Sequence, residues 1–298
     1  MSESDVLRTL GARLITNKCK DWPSSCTADT HLRVMGTIGS EKKTAVIGSR
    51  KPTRQALHRA RLIAQLLVRA GRTVVSGGAF GIDIAALEAA HERGGRTLTV
   101  LGSGLSYPSP IRHCTLYGKF VKRGALLSPF PCDQRPARWT FAKRNRWIAE
   151  CSDEVVVVQA AAQSGTLMAG RRALALRRPV YVDVRKTDHR YDGCLALLRE
   201  GAQHFETWVV KMVASNAQFS APTEDLPQLH RQLLMAIETG LDTPILISEH
   251  LAMPVHSVLG KLTQMRLKRL VGQNENGSWF RLGLPLEPGG TSWLNDGF

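Results

Sequence analysis

Short aliphatic runs recur along this chain with amphipathic stretches between them, and that alternation constrains the fold more than any other feature. Val155-Val156-Val157-Val158 is the plainest run. Thr44 to Gly48, Thr73 to Val75, Thr97 to Leu101, Ala125 to Leu127 and Val180 to Val182 are the others. Between the first two in chain order, Gln55 to Ala70 puts Leu57, Ala60, Ile63, Ala64, Leu67 and Val68 on one helical face, with arginines opposite. Gly71 caps that segment, and Ile82 to Arg93 predicts another helix closed by Gly94-Gly95. Runs that are apolar at consecutive positions have no face to give to water, so such strands are covered on both sides. Strand and helix in alternation therefore predict an α/β fold, a doubly wound, mostly parallel sheet over residues 44–212.

The pattern changes on either side of that domain. Residues 1–43 show helical periodicity only around Val6 to Ile15 and are too short for an independent core. Past Ala202, a stretch with Asn216, Ser220, Pro222 and Thr223 reads as a linker, placed at residues 213–227. Helices are expected at Gln228 to Glu238, Ile247 to Ala252 and Val255 to Leu270, and Asn276-Gly277 marks a hairpin between two short strands. Helices followed by a hairpin make a small winged helix-turn-helix domain over residues 228–284, with a tail at 285–298. On its last helix, Lys261, Gln264 and Lys268 are candidate DNA contacts and Ser257 is a further outward position. Leu259, Leu262, Met265 and Leu270 supply the inner face.

The chain carries a formal charge of +15 over 298 residues, with a pI near 10.0. Such a field draws polyanions without specifying a reaction. Cys19, Cys26, Cys114, Cys132, Cys151 and Cys194 are scattered with no C-x-x-C pair, which predicts reduced thiols and no zinc site. No apolar run approaches a membrane span, and Met1 to Asp5 lacks the basic start of a signal peptide. A cytoplasmic protein without membrane contact is expected.

The most informative ten residues are Trp139-Thr-Phe141-Ala-Lys143-Arg144-Asn145-Arg146-Trp147-Ile148, where cations and an amide interleave with aromatic and apolar side chains. Cations beside aromatic faces suit a polyanion that carries bases. Three small polar loops follow predicted strands: Gly48-Ser49-Arg50, Ser76 to Asp83, and Gln163-Ser164-Gly165-Thr166. Open parallel sheets bind ligands at such turns. Together with the nearby arginines the loops predict a phosphate-binding rim. Arg144 and Arg146 are read as cations of that rim, and Phe141 as a stacking platform. Asp83 is read as a structural acid, capping its helix and complementing the dipole.

Enzymatic readings find little support. The turn Gly48-Ser49-Arg50-Lys51-Pro52 is not G-x-G-x-x-G, and no acid ends the second strand, which argues against a dinucleotide. A P-loop and a G-x-S-x-G elbow are absent, and His91-Glu92 has no second histidine four residues on. No catalytic residue, cofactor or metal is predicted.

The motifs in their order resemble the DNA-processing protein A (DprA/Smf) family. Gly48-Ser49-Arg50, the Ser76–Asp83 loop, Gly94-Gly95-Arg96-Thr97, Gly102 to Pro108, Phe141 to Ile148, Ser164 to Leu167, and Gly193, Leu197, Gly201 and Ala202 all match it. The resemblance implies an extended Rossmann-like fold. It also implies a homodimer that binds single-stranded DNA and assists loading of a RecA-type recombinase in natural transformation or recombination. Carried over by position, Gly48, Ser49, Arg50, Phe141, Lys143, Arg144, Asn145, Arg146, Ser164, Gly165 and Thr166 would hold the strand. The chain departs from the pattern at Leu87, Pro129 and Gln159 and at Asp183-Val184-Arg185, losing acids at the second and third of these. Two other readings stay open: a nucleotide-binding or nucleotide-hydrolysing Rossmann-like enzyme or sensor, and a winged-helix transcription regulator.

Overall fold

Each aliphatic run forms a strand of one sheet. The computed structural model describes residues 2–23, 25–26, 30–185, 188–215, 227–267, 270–273 and 278–281. Its first elements are α1 (Glu3–Thr9), β1 (Ala12–Ile15), β2 (Leu32–Gly36), β3 (Lys43–Gly48), α2 (Arg54–Arg69), β4 (Thr73–Ser76), α3 (Ile82–Glu92) and β5 (Thr97–Val100). Then come α4 (Cys114–Val121), β6 (Ala125–Ser128), α5 (Arg138–Glu150), β7 (Glu154–Gln159) and α6 (Thr166–Ala175). The series closes with β8 (Val180–Val182), α7 (Asp192–Arg199), β9 (Gln203–His204) and α8 (Phe205–Ser215).

Among the described residues the sheet has nine strands in the order β1-β2-β6-β5-β4-β3-β7-β8-β9. From β6 to β9 every neighbouring pair is parallel. The central strands are buried on both faces, as their sequence requires. Ala45, Ile47, Val155 and Val157 pack with Trp147, Ile148 and Leu167 in one core. Val46, Val74, Val156 and Val158 pack with Ile63, Leu67, Leu87 and Trp208 in the other. Helices thus cover both faces of a mostly parallel sheet, the doubly wound architecture.

The N-terminal segment departs from expectation. Helix ends at Thr9, and Ala12–Ile15 is a strand where periodicity suggested helix. β1 pairs with β2, and β2 pairs antiparallel with β6, so residues 12–36 extend the sheet. Leu32 and Val34 are fully buried while Arg33 between them reaches out to Glu3 at 2.9 Å. This alternation of period two is the signal of a strand with one face covered, spread over too few residues to stand out.

Chain order places the ligand-facing crevice. From β3 the chain steps outward through β4, β5 and β6, then returns to lay β7 on the other side of β3. The loops after β3 and β7 therefore leave the sheet in opposite senses. The C-terminal ends of these two strands flank the topological switch point, where open α/β sheets bind ligands.

The chain divides into two compact units, Met1–Asn216 and Ala217–Phe298. The second contains α9 (Gln228–Glu238), α10 (Pro244–Leu251), α11 (Val255–Leu267), β10 (Val271–Gln273) and β11 (Trp279–Arg281), the last two antiparallel. That is the element order of a winged helix-turn-helix. Leu233, Ile237, Ile247, Val258, Leu262, Met265 and Trp279 form its core. Leu259, expected inside, is 41% exposed, because α11 turns Val258 and Leu262 inward instead. Lys261 donates to Gln264 at 3.3 Å on the α11 surface. α8 runs to Ser215, into the expected linker. The rest of that linker up to residue 226, Lys268, the Asn276-Gly277 turn and the 285–298 tail lie outside the described residues.

Leu32→Ala should lower stability by about 2–5 kcal/mol in urea unfolding, the cost of a cavity in a packed core. Leu14→Ala, at a half-exposed position of the outer strand, should stay within about 1 kcal/mol. An equally small effect at both sites would mean that the segment is peripheral after all.

Candidate nucleic-acid interface

Helix α5 faces two ways, and its sequence says which residue goes where. Thr140, Arg144, Trp147 and Ile148 recur at helical spacing and are buried, while Trp139, Lys143 and Arg146 recur on the opposite face and are exposed. Phe141 and Asn145 lie between, half-buried at the edge of the crevice. Thr140 Oγ1 donates to the Gly102 carbonyl at 2.6 Å, seating the helix start on the loop after β5. A Cβ on Gly102 would collide with the Phe141 ring, so glycine there is required by the close approach of this aromatic side chain.

Arg144 corrects the sequence reading. Expected as a rim cation, it is 3% exposed. Its Nη1 donates to the carbonyls of Gly77, at the end of β4, and of Val100, at the end of β5, the latter at 2.7 Å. A Cβ on Gly77 would overlap the guanidinium. The glycine that suggested a phosphate cradle therefore makes room for the protein's own cation. Burial lowers the Arg144 pKa, and the facing Asp83 opposes that shift.

Asp83 is structural, as expected, but it does not cap its helix; that position belongs to Gly81. Its carboxylate accepts the Gly77 amide at 3.2 Å and also backbone hydrogen bonds from Ala79 and Gly48. One buried acid thus gathers the loops after β3 and β4. Burial pushes its pKa up, against the Arg144 charge and these amides.

Several of the other expected rim residues do converge, though Lys143 and Arg146 are not among them. Thr166 Oγ1 donates to the Gly48 carbonyl at 3.2 Å, and Asn145 Nδ2 donates to the Gly165 carbonyl at 3.0 Å. The Ser164 hydroxyl accepts from the Thr166 amide at 3.2 Å and shapes the entry to α6. Arg50 is exposed, with its guanidinium 5.5 Å from the centre of the Phe141 ring. Arg146 lies 5.9 Å from the centre of the Trp147 ring. Trp147 itself is core, whereas Trp139 is 55% exposed and meets Phe130 edge-on. Gln159, at a position where the resembled family pattern has an acid, is fully buried and accepts the Thr53 amide at 3.0 Å.

Charge is distributed unequally between the two ends of the sheet. At the N-terminal ends, arginines meet acids: Arg72 with Glu154 at 2.5 Å, Arg96 with Glu41 at 3.2 Å, and Arg172 with Glu150. At the C-terminal ends, Asp83 and Asp183 are buried and face the buried Arg144 and Arg59, Asp183 with Arg59 at 2.5 Å. Among the described residues, no carboxylate forms an ion pair with the exposed Arg50, Lys143 or Arg146. What faces solvent here is positive charge beside an aromatic face. Sequence reasoning missed the structural use of Arg144, and its signal was Gly77, a glycine with no positive φ of its own to explain it.

The model of the family described as DNA recombination-mediator protein A matches residues 13–215. Protein Smf of Synechocystis is 36% identical over 159 residues, which make up 53% of this chain and 40% of that protein. The structure of DNA processing protein A from Streptococcus pneumoniae aligns with a TM-score of 0.60 at 27% identity, covering 68% of this chain and 75% of the other. DNA processing protein A from Helicobacter pylori, whose structure is described by its single-stranded DNA binding mode, aligns with a TM-score of 0.60 at 26% identity. That alignment covers 68% of this chain and 96% of the other. The chain spans about half the length of the curated relatives it matches.

The two faces of α5 separate by experiment. Arg144→Met should lower stability by about 3 kcal/mol or more, because Asp83 loses its facing charge inside the fold. Arg146→Ala should stay within about 0.5 kcal/mol. Urea unfolding measures both, and a silent Arg144→Met would contradict the buried tie.

Proposed function

The chain belongs to the DNA recombination-mediator protein A family, and on that premise we propose that it binds single-stranded DNA across the C-terminal ends of β3 and β7 without cutting it. The unpaired positive rim carries this reading. Arg50, Lys143 and Arg146 stand exposed there, beside the Phe141 ring and the amide of Asn145. Phosphates pair with such cations and bases stack on such faces, with little preference for sequence. Gly48, Ser49, Ser164, Gly165 and Thr166 shape the groove floor. Arg144 serves by holding the loops in place and touches no phosphate.

Hydrolysis of a bound nucleotide is disfavoured by the same geometry. The loop after β4 is closed by Arg144, and its Gly77 amide is taken by Asp83. The two carboxylates nearest the glycine loops, Asp83 and Asp183, are buried against Arg144 and Arg59 and so do not stand ready as exposed general acids or bases. The relatives' role in recombination extends to this chain as part of the proposal, with a RecA-type recombinase and a second copy of the chain as partners. The C-terminal unit is read as a winged-helix module, with Lys261 and Gln264 on its outward helix.

Fluorescence anisotropy on oligo-dT tests the rim. The combined change of Arg50, Lys143 and Arg146 to alanine should weaken binding at least tenfold. It should also flatten the dependence of log affinity on log salt by up to about 0.7 for each lost phosphate contact. Unchanged affinity and slope would remove the assignment. Release of free base or nucleotide from the oligonucleotide by the wild type would replace it with an enzymatic one.

A further inference from the structure

We propose that Phe80 forms a second base-stacking platform, one that extends the strand path from the α5 rim across the loop after β4. The inference rests on the single-stranded DNA reading above and adds a residue to it. Phe80 is a large apolar side chain left 45% exposed in that loop. A lone exposed phenylalanine is ordinary on a protein surface. This one differs in being braced and in where it stands.

The bracing comes from α4 and the turn before it. His113 and Tyr117 are both buried, and His113 Nδ1 and the Tyr117 hydroxyl reach the same Gly78 carbonyl at 2.9 and 3.0 Å. Two donors on one carbonyl hold the loop two residues ahead of Phe80. The His113 ring then meets the Phe80 ring edge-on, with centroids 4.6 Å apart. A ring braced by such a contact and left half open loses little conformational freedom when a base stacks on it.

The position continues the rim. Phe80 adjoins Gly81, which packs so tightly on the Ser49 and Arg50 backbone that a Cβ there would clash, and the Ile82 amide donates to the Ser49 carbonyl at 3.2 Å. The loops after β3 and β4 are therefore in contact. The Arg50 backbone thus touches the loop that carries Phe80, and its guanidinium lies 5.5 Å from the Phe141 ring. Two aromatic rings linked through the Arg50 loop suit bases that alternate with phosphate. Arg112, exposed in the turn next to His113, supplies a further cation on the segment that braces Phe80.

Phe80→Ala and Phe80→Trp in the full chain, measured on oligo-dT and on an abasic oligonucleotide of equal length, test the platform. Phe80→Ala should weaken oligo-dT binding at least about fivefold, Phe80→Trp should retain it, and the salt slope should not change. On the abasic strand, wild type and Phe80→Ala should bind alike. Equal affinities on oligo-dT, an equal loss on the abasic strand, or a reduced salt slope would overturn the proposal while leaving the rim intact. A change in sedimentation of the DNA-free protein, with DNA affinity unaltered, would make Phe80 a protein contact and overturn it too. If the wild type binds no oligonucleotide, the underlying reading falls and this one with it.

Discussion

The guanidinium of Arg144 is the tie on which the ligand-facing end of the sheet depends. Strands end where their backbone groups run out of partners, and the loops beyond them must find others. Here one buried cation takes the carbonyls of Gly77 and Val100, while Asp83 opposite takes the amides of Gly48, Gly77 and Ala79. A buried charge is costly unless it is paired and hydrogen-bonded, and each member of this pair meets that condition with backbone as well as with the other's charge. The result is that the exits of β3, β4 and β5 are cross-linked to one another and to α5.

That tie is what lets α5 present its other face. With Thr140, Arg144 and Trp147 anchored inward, Lys143 and Arg146 have no inward position available, and Phe141 is held against Gly102 at the crevice edge. Several acids are engaged elsewhere, at the opposite ends of the strands or within the fold. A net positive chain thus concentrates its unpaired charge where the topology opens a crevice. Such an arrangement suits an anionic strand, and it leaves Arg50 to reach from the loop after β3 over the Phe141 ring of α5 at the surface.

Much of the fold was legible because its signal is local. Consecutive valines at 155–158 demand cover on both faces, and the helical face from Leu57 to Val68 demands a sheet to lie on. Residues 12–36 were harder, since two short strands carry only a few alternating positions and their partner β6 lies far along the chain. The rim was legible as a group: Arg50, Phe141, Asn145, Gly165 and Thr166 do meet. Arg144 was not legible, because Arg144 and Arg146 are two residues apart and so point to opposite faces of the helix, and nothing in F-A-K-R-N-R marks which arginine faces in.

The sequence by itself therefore determined the layers of the protein, the order of its strands and helices from β3 to β8, its excess of positive charge and the loops that gather at the switch point. Those follow from periodicity, from glycine at turns and from composition, all readable within a short window. Only the tertiary structure decided which cations are available to a ligand and which are structural. That choice depends on what stands opposite each side chain once distant segments meet, as Gly77, Val100 and Asp83 meet Arg144, and burial in a crowded interior is a property of the assembled sheet rather than of any stretch of chain.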